Sequence, residues 1–210
     1  MKFPLRDRLT KPLLKRQDAG LTRKLRVFST NEEMLNLANN DYLSLSNHPQ
    51  VIDAAKRAIE FYGCSSSASP LITGFGPSHH ELLEVLKDWH GFKGGMIWNS
   101  GYVANQALLS SLPCKGDLVL ADRLIHKSMI SGILSSGARL MRYRHCDIDH
   151  LEELLEKHAT GDRIVFVVTE SVFSMDGDYP DLKKMAELKE RLGFFWVVDE
   201  AHALGWYGKR

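Results

Sequence analysis

The sequence is poor in cysteine: its 210 residues include only Cys64, Cys114 and Cys146, which are far apart and form no CxxC pair. An odd, scattered set excludes a disulfide framework and favours free thiols in a reducing compartment. An excess of one charge is also missing, because 27 lysines and arginines stand against 26 aspartates and glutamates. A nearly neutral chain has neither the basic field that would hold a nucleic acid nor an acidic tail.

Long hydrophobic runs are lacking as well. The densest run, residues 164–168, is far shorter than the about 20 apolar residues that a membrane helix needs. Residues 1–8 contain none of the apolar stretch of a secretory signal. With 44% hydrophobic and 25% charged residues, the composition is typical of a folded globular protein. We therefore expect a soluble, cytoplasmic protein that binds neither nucleic acid nor membrane.

Two regions differ in pattern. Residues 1–45 are a predicted N-terminal arm that begins with a basic, leucine-containing segment over residues 1–26. That segment is either an amphipathic arm packed on another surface or a solvated helix. Residues 46–210 alternate between helical and strand patterns and form one predicted domain. The predicted helices are Pro49–Tyr62, one begun by a capping box at Ser78–Glu81, Tyr102–Leu112, His126–Ser136, Asp149–His158 and Pro180–Leu192. The predicted strands are Met96–Trp98, Leu118–Ala121, Arg139–Tyr143, Ile164–Thr169 and Phe194–Val198.

Two of these strands are apolar on both faces. Residues 164–168 and 195–198 read Ile-Val-Phe-Val-Val and Phe-Trp-Val-Val, a pattern typical of strands covered by helices on either side. The alternation predicts a three-layer α/β fold with a mostly parallel, doubly wound sheet. Only the turn at residues 203–208 follows the last strand, so we expect a sheet that is incomplete at its C-terminal end.

Polar residues follow several of the predicted strands. Ligands of open α/β sheets bind beyond the carboxyl ends of the strands, and there we find Ser100-Gly101-Tyr102, His126, residues 170–177, and Asp199 with His202. Their convergence predicts a ligand site at this edge.

Each of these residues also has a plain structural interpretation. Ser100-Gly101 at a helix start favours a phosphate group or is simply a cap. Asp199 at the end of an apolar strand meets a cation, caps a helix or joins a buried ion pair. His126 and His202 are candidate ligands, bases or ring-stacking groups, although a lone histidine is more often structural.

Three other kinds of site lack support. His79 and His80 belong to the predicted capping box, and Cys146 with His150 has no second pair at zinc-like spacing, so we expect no metal. Serine hydrolases need a G-x-S-x-G elbow, which is absent. Asp199-Glu200-Ala201-His202 also spells a helicase box, but the phosphate loop that must precede it does not occur.

Taken together, five strings of the sequence resemble the α-oxoamine synthases, which are pyridoxal-phosphate enzymes of the aspartate-aminotransferase fold. They occur in the family's order over nearly the whole chain from residue 20. The strings are residues 39–45 (NNDYLSL), 100–105 (SGYVAN), 121–128 (ADRLIHKS), 169–178 (TESVFSMDGD) and 198–202 (VDEAH). The resemblance implies that residues 46–210 are part of the cofactor-binding large domain.

The resemblance also implies roles for single residues. Asp199 would pair with the pyridine nitrogen and keep it protonated, so that the ring acts as an electron sink. His126 would stack on the ring and position substrate. The implied cofactor-binding residues are Gly101, Tyr102, His126, Ser174, Asp199 and His202; the implied catalytic residues are His126, Asp199 and His202; the implied substrate residues are Arg23, Asn40 and His126.

Family members condense an amino acid with an acyl-CoA and release CO2 and CoA. The string Asp122-Arg123-Leu124-x-His126 favours the biotin-pathway branch, which joins L-alanine to a pimeloyl thioester and gives 8-amino-7-oxononanoate. Glycine C-acetyltransferase and 5-aminolevulinate synthase types stay open as alternatives. Complete members are homodimers.

One expected residue is missing. The family's Schiff-base lysine lies in a Ser-x-Lys string after the Asp-x-x-His, and the 210 residues contain no such string there. We therefore expect that these residues are the N-terminal half of a synthase, without its C-terminal domain, and that they are inactive alone. The alternative is a non-catalytic chain that binds the cofactor loosely or caps a partner subunit.

Overall fold

We describe a computed structural model of the chain over residues 4–28, 36–159, 161 and 163–206. The chain divides into two units, Met1–Ser44 and Leu45–Arg210. In the first unit, α1 spans Pro4–Asp18 and includes Pro12. Its leucines are more than half exposed within the chain, so both interpretations of this segment stay open.

The second unit alternates helices and strands. Its helices are α2 (Pro49–Tyr62), a π-helical turn (Pro70–Gly74), α3 (Pro77–His90), α4 (Gly101–Ser111), α5 (Lys127–Ser136), α6 (Ile148–His158) and α7 (Leu182–Leu192). Its strands are β1 (Leu118–Asp122), β2 (Arg139–Tyr143), β3 (Val165–Glu170) and β4 (Phe195–Asp199). No helix in the described part of the chain is both long enough and apolar enough to span a membrane.

The four strands are all parallel and lie in the order β2-β1-β3-β4, which confirms the predicted α/β class. Every residue of β1 and β3 is buried, because helices cover both faces of the sheet. Alternate residues of these strands enter opposite cores. Leu118 and Val165 pack with α6 and α7 on one face, whereas Val119 and Phe166 pack with α4 and α5 on the other.

The expectation of a strand at Met96–Trp98 is wrong. The segment lies between Gly94-Gly95 and Asn99-Ser100 and pairs with none of the four described strands. Met96 is 77% exposed, so the short apolar run lacks the burial that would hold it in the sheet.

Three helix starts also differ from the sequence pattern. Gly76, and not Ser78, precedes α3, and its N–H donates to His79 Nδ1 at 3.3 Å. Asp147 caps α6 by accepting from the N–H of His150, in place of Asp149. Asp181 caps α7, which leaves Pro180 outside the helix. The side chains of Asp147 and Asp181 accept from first-turn N–H groups, and at α3 the carbonyl oxygen of Gly76 accepts from the N–H groups of His79 and His80.

Candidate active site

Three of the four strands end on a carboxylate at the same edge of the sheet. β1 ends at Asp122, β3 at Glu170 and β4 at Asp199. Glu170 lies directly opposite Asp199 in the strand register. The N-termini of α4 and α5 lie at this edge as well. Helix N-termini and carboxylates are therefore close together there.

The start of α4 is open. Ser100 caps the helix, and its Oγ accepts from the N–H of Val103 at 3.2 Å. The helix itself provides no acceptor for the N–H groups of Gly101 and Tyr102. A Cβ built at Gly101 would meet nothing within 4 Å, so a ligand has room to approach the backbone there. The Tyr102 ring stands edge-on to the ring of His126, with their centroids 6.1 Å apart.

A chain of hydrogen bonds links Asp199 to His126. Asn105, on α4, donates from Nδ2 to Asp199 Oδ2 at 2.6 Å and to Ser128 Oγ at 3.2 Å. Ser128 Oγ lies 2.7 Å from His126 Nδ1. The other carboxylate oxygen of Asp199 accepts from the N–H of Ala201 at 2.9 Å. The structure therefore brings together two of the predicted site residues, which come from different loops, through a side chain on α4.

Glu170 binds the backbone of His126, the residue that caps α5. Its Oε1 accepts from the N–H of His126 at 2.6 Å, and the residue is only 4% exposed. Burial raises the pKa of Glu170 to about 7; the bond from His126 opposes this rise, and the charges of Asp199 and Asp122 add to it. Glu170 is therefore a proton-exchanging group near neutral pH beside the start of α5.

The other predicted residues lie in the turns after β3 and β4 or in the first unit. Ser174 is exposed in the turn after β3, and His202 lies partly exposed in the turn after β4. Arg23 and Asn40 are exposed residues of the first unit. Their predicted roles stay predictions.

A second polar cluster lies beside the first and was not predicted. His145, just after β2, is 2.8 Å through Nδ1 from Asp122 Oδ1 and 2.8 Å through Nε2 from Asp178 Oδ2. Burial would lower the pKa of His145, but the two carboxylates outweigh it and raise the pKa above its ordinary value. Asp122 is fully buried and also accepts from the N–H groups of Leu124 and Cys146. The cluster ties the ends of β1 and β2 to the loop after β3.

This cluster includes groups that could hold a metal ion. Ligand atoms of Asp122, His145 and Cys146 all lie within 4.8 Å of one another. Both ring nitrogens of His145 already face a carboxylate, however, and burial raises the pKa of the Cys146 thiol to about 12. A protonated thiol is a poor metal ligand. The geometry therefore favours a protonated His145 ring that bridges Asp122 and Asp178.

Sequence reasoning missed Asn105, Ser128 and His145. Asn105 follows Gly101 by four residues and so shares its face of α4, which was a readable signal. His145 could not be found in this way, because its partnership with Asp122 depends on β2 lying next to β1.

Comparison with known proteins identifies the family. A family model described as aminotransferase class I and II matches residues 32–210. The chain belongs to this family. The 8-amino-7-oxononanoate synthase of Chlorobaculum parvum is 46% identical over 184 residues, which are 85% of this chain and 47% of the relative. The synthase of the same name from Vibrio atlanticus is 39% identical over 212 residues, which are 97% of this chain and 52% of the relative. The resemblance to the α-oxoamine synthases is thereby confirmed.

Solved structures of this family confirm the fold. Serine palmitoyltransferase of S. paucimobilis superposes with a TM-score of 0.83 at 29% identity, over 97% of this chain and 55% of that one. The 8-amino-7-oxononanoate synthase of Francisella tularensis gives a TM-score of 0.67 at 30% identity, over 82% of this chain and 46% of that one. The chain spans about half the length of the curated relatives it matches.

Proposed function

We propose that the protein to which this chain belongs is a pyridoxal-phosphate-dependent α-oxoamine synthase, which condenses L-alanine with a pimeloyl thioester to give 8-amino-7-oxononanoate for biotin synthesis in the cytoplasm. The observation that carries the proposal is the linked arrangement of His126 and Asp199 beside the open start of α4. Relatives at 39–46% identity that are named for this activity support the choice of substrates.

The residues present fit pyridoxal phosphate. The open N–H groups of Gly101 and Tyr102 suit a phosphate, since a helix N-terminus favours an anion. The carboxylate of Asp199 has two hydrogen bonds, from Asn105 and Ala201, and a carboxylate has about four acceptor positions. A protonated pyridine nitrogen can therefore still donate to it. When bound, the cofactor supplies an electron sink for bond breaking at the amino acid's α-carbon.

In this proposal the chain's own residues bind the cofactor and the amino acid and orient them. Asp199 would accept from the ring nitrogen, and His126 would stack on the ring. Ser174 and His202 would hydrogen-bond to ring substituents. Arg23 and Asn40 receive the carboxylate of the amino acid. Glu170 fixes the start of α5, and thereby His126, through its bond to the His126 N–H.

A related condensation is the alternative. The chain also superposes on serine palmitoyltransferase with a TM-score of 0.83, so this scaffold is compatible with a different acyl donor or amino acid. Glycine C-acetyltransferase and 5-aminolevulinate synthase types belong to the same alternative, and a non-catalytic partner subunit is a further one. A panel of acyl-CoA thioesters with alanine, glycine and serine separates the catalytic candidates by free-thiol release.

The first experiment measures equilibrium binding of pyridoxal phosphate to the 210-residue chain, with the quenching of tryptophan fluorescence as the signal. We expect saturable binding that Asp199→Ala weakens by about tenfold or more, because it removes a charged hydrogen-bond partner. The exposed Asp149→Ala on α6 is the matched control. Wild-type protein that shows no saturation, or equal affinities for all three proteins, would contradict the proposal.

We also propose that the 210 residues alone release no CoA from pimeloyl-CoA and alanine, because the resemblance places the Schiff-base lysine in a string that they do not contain. A thiol assay on the pure chain tests this. For a complete synthase we propose a homodimer, which sedimentation analysis tests.

A further inference from the structure

The side-chain amide of Asn105 has a fixed orientation. Its Nδ2 atom lies 2.6 Å from Asp199 Oδ2, and an ionised carboxylate can only accept. The nitrogen, and not the oxygen, must therefore face Asp199. The same nitrogen is 3.2 Å from Ser128 Oγ, so Asn105 uses its two amide hydrogens on two different acceptors.

The next bond in the chain joins Ser128 to His126. Ser128 is fully buried, and its Oγ accepts from Asn105, which leaves it one hydrogen and one further acceptor position. His126 Nδ1 lies 2.7 Å from this Oγ. The backbone N–H of Ser128 also points at Nδ1, at 3.3 Å. Because a backbone N–H can only donate, Nδ1 must carry a lone pair, so the Ser128 hydroxyl donates to it and the proton of the neutral ring is on Nε2.

We propose that Asn105 is a positioning residue, which orients the Asp199 carboxylate directly and, by donating to Ser128 Oγ, directs the Ser128 hydroxyl hydrogen at His126 Nδ1 and so stabilises the tautomer with its proton on Nε2. Both effects come from one side chain on α4, the helix that begins with the open backbone of Gly101. The consequence for ligand binding rests on the proposed function: His126 and Asp199 would already be oriented before the cofactor binds. The tautomer itself depends only on this chain's residues.

The test is NMR on the chain without cofactor, at a pH where His126 is neutral. The ¹⁵N shifts of its ring nitrogens report the tautomer, and the ¹³C shift of the Asp199 carboxyl reports that group's hydrogen bonding. His126→Gln and Asp199→Asn assign the signals. The informative variants are Asn105→Ala and Ser128→Ala. Gln106→Ala removes an exposed amide from the neighbouring position of α4 and is the control.

We expect Nδ1 to be the unprotonated nitrogen in the wild type. Asn105→Ala shifts both the His126 and the Asp199 signals. Ser128→Ala shifts the His126 signals toward the average of two tautomers and leaves the Asp199 carboxyl in place. Adding Asn105→Ala to Ser128→Ala moves the His126 signals no further. Gln106→Ala changes neither group.

A protonated Nδ1 in the wild type would overturn the inference. So would Asn105→Ala without an effect on either signal, or equal disturbance of both signals by both variants, which indicates a merely structural role. If Asn105→Ala does not fold, the wild type and Ser128→Ala still decide. Pyridoxal phosphate titration completes the set: we expect about tenfold weaker binding by Asn105→Ala. Failure of the wild type to bind, with the NMR pattern as expected, rejects the proposed function and keeps this inference.

Discussion

Removing the charge of Glu170 should make the protein more stable above neutral pH. Its pKa is raised from an ordinary value of 4.5 to about 7, chiefly by burial, so the folded state holds a proton that the unfolded state has lost. Between these two pH values the unfolded chain binds fewer protons, and the free energy of unfolding therefore falls as pH rises. The difference between the two pKa values corresponds to about 3 kcal/mol.

Glu170→Gln keeps an acceptor for the N–H of His126 and cannot ionise. We expect its stability relative to the wild type to rise by about 2 to 3 kcal/mol between about pH 5 and about pH 8. Urea unfolding of both proteins at a series of pH values measures this change, and other titrating groups largely cancel in the comparison. Glu187→Gln, on the exposed face of α7, controls for the loss of one carboxyl. A stability difference that stays constant with pH would refute the reasoning.

The remaining predictions concern packing, the second cluster and metal binding. His145→Asn should lower the free energy of unfolding by about 2 kcal/mol below pH 6.5, because it leaves buried Asp122 without its cation. Since the pKa of His145 is raised, this loss should shrink as pH rises past that pKa; equal losses in urea unfolding at about pH 6 and about pH 9 would contradict the bridging imidazolium. Gly132→Ala should cost about 1 to 3 kcal/mol in the same assay, because the new Cβ would lie 3.0 Å from the carbonyl oxygen of Gln106, and a neutral or stabilising result would mean that α4 and α5 separate freely. Zinc should not raise the melting temperature, and a rise that His145→Asn abolishes would instead establish a metal site.

Four of the five predicted strands form, and their limits follow the sequence pattern more closely than the helix starts do. Burial on both faces leaves a run such as residues 164–168 few alternatives to a central strand, and β3 begins and ends within one residue of its predicted limits. A helix start depends on which of several neighbouring acceptors bonds to the N–H groups of the first turn. Asp147, with no periodic signal, caps α6 two residues upstream of the expected Asp149.

The candidate site was predictable only where residues lie at or shortly after the end of a strand. His126 was found because it lies shortly after the buried strand β1, and Asp199 because it ends the apolar run of β4. Asn105 and Ser128, which connect them, come from two helices that meet over one face of the sheet, and that meeting depends on the close approach at Gly132. Contacts of this kind depend on tertiary packing, which local periodicity does not report.

The two cores of the sheet should tolerate mutation unequally. The layer of α6 and α7 packs Leu151 and Met185 against the sheet face away from the His126–Asp199 network. Changes there should cost stability while leaving ligand recognition intact. The layer of α4 and α5 carries Asn105, Ser128 and the cap His126 over Leu109 and Met129. Sequence drift in this second layer would alter recognition and stability together, so random variation that keeps function should accumulate mainly on the opposite side of the sheet.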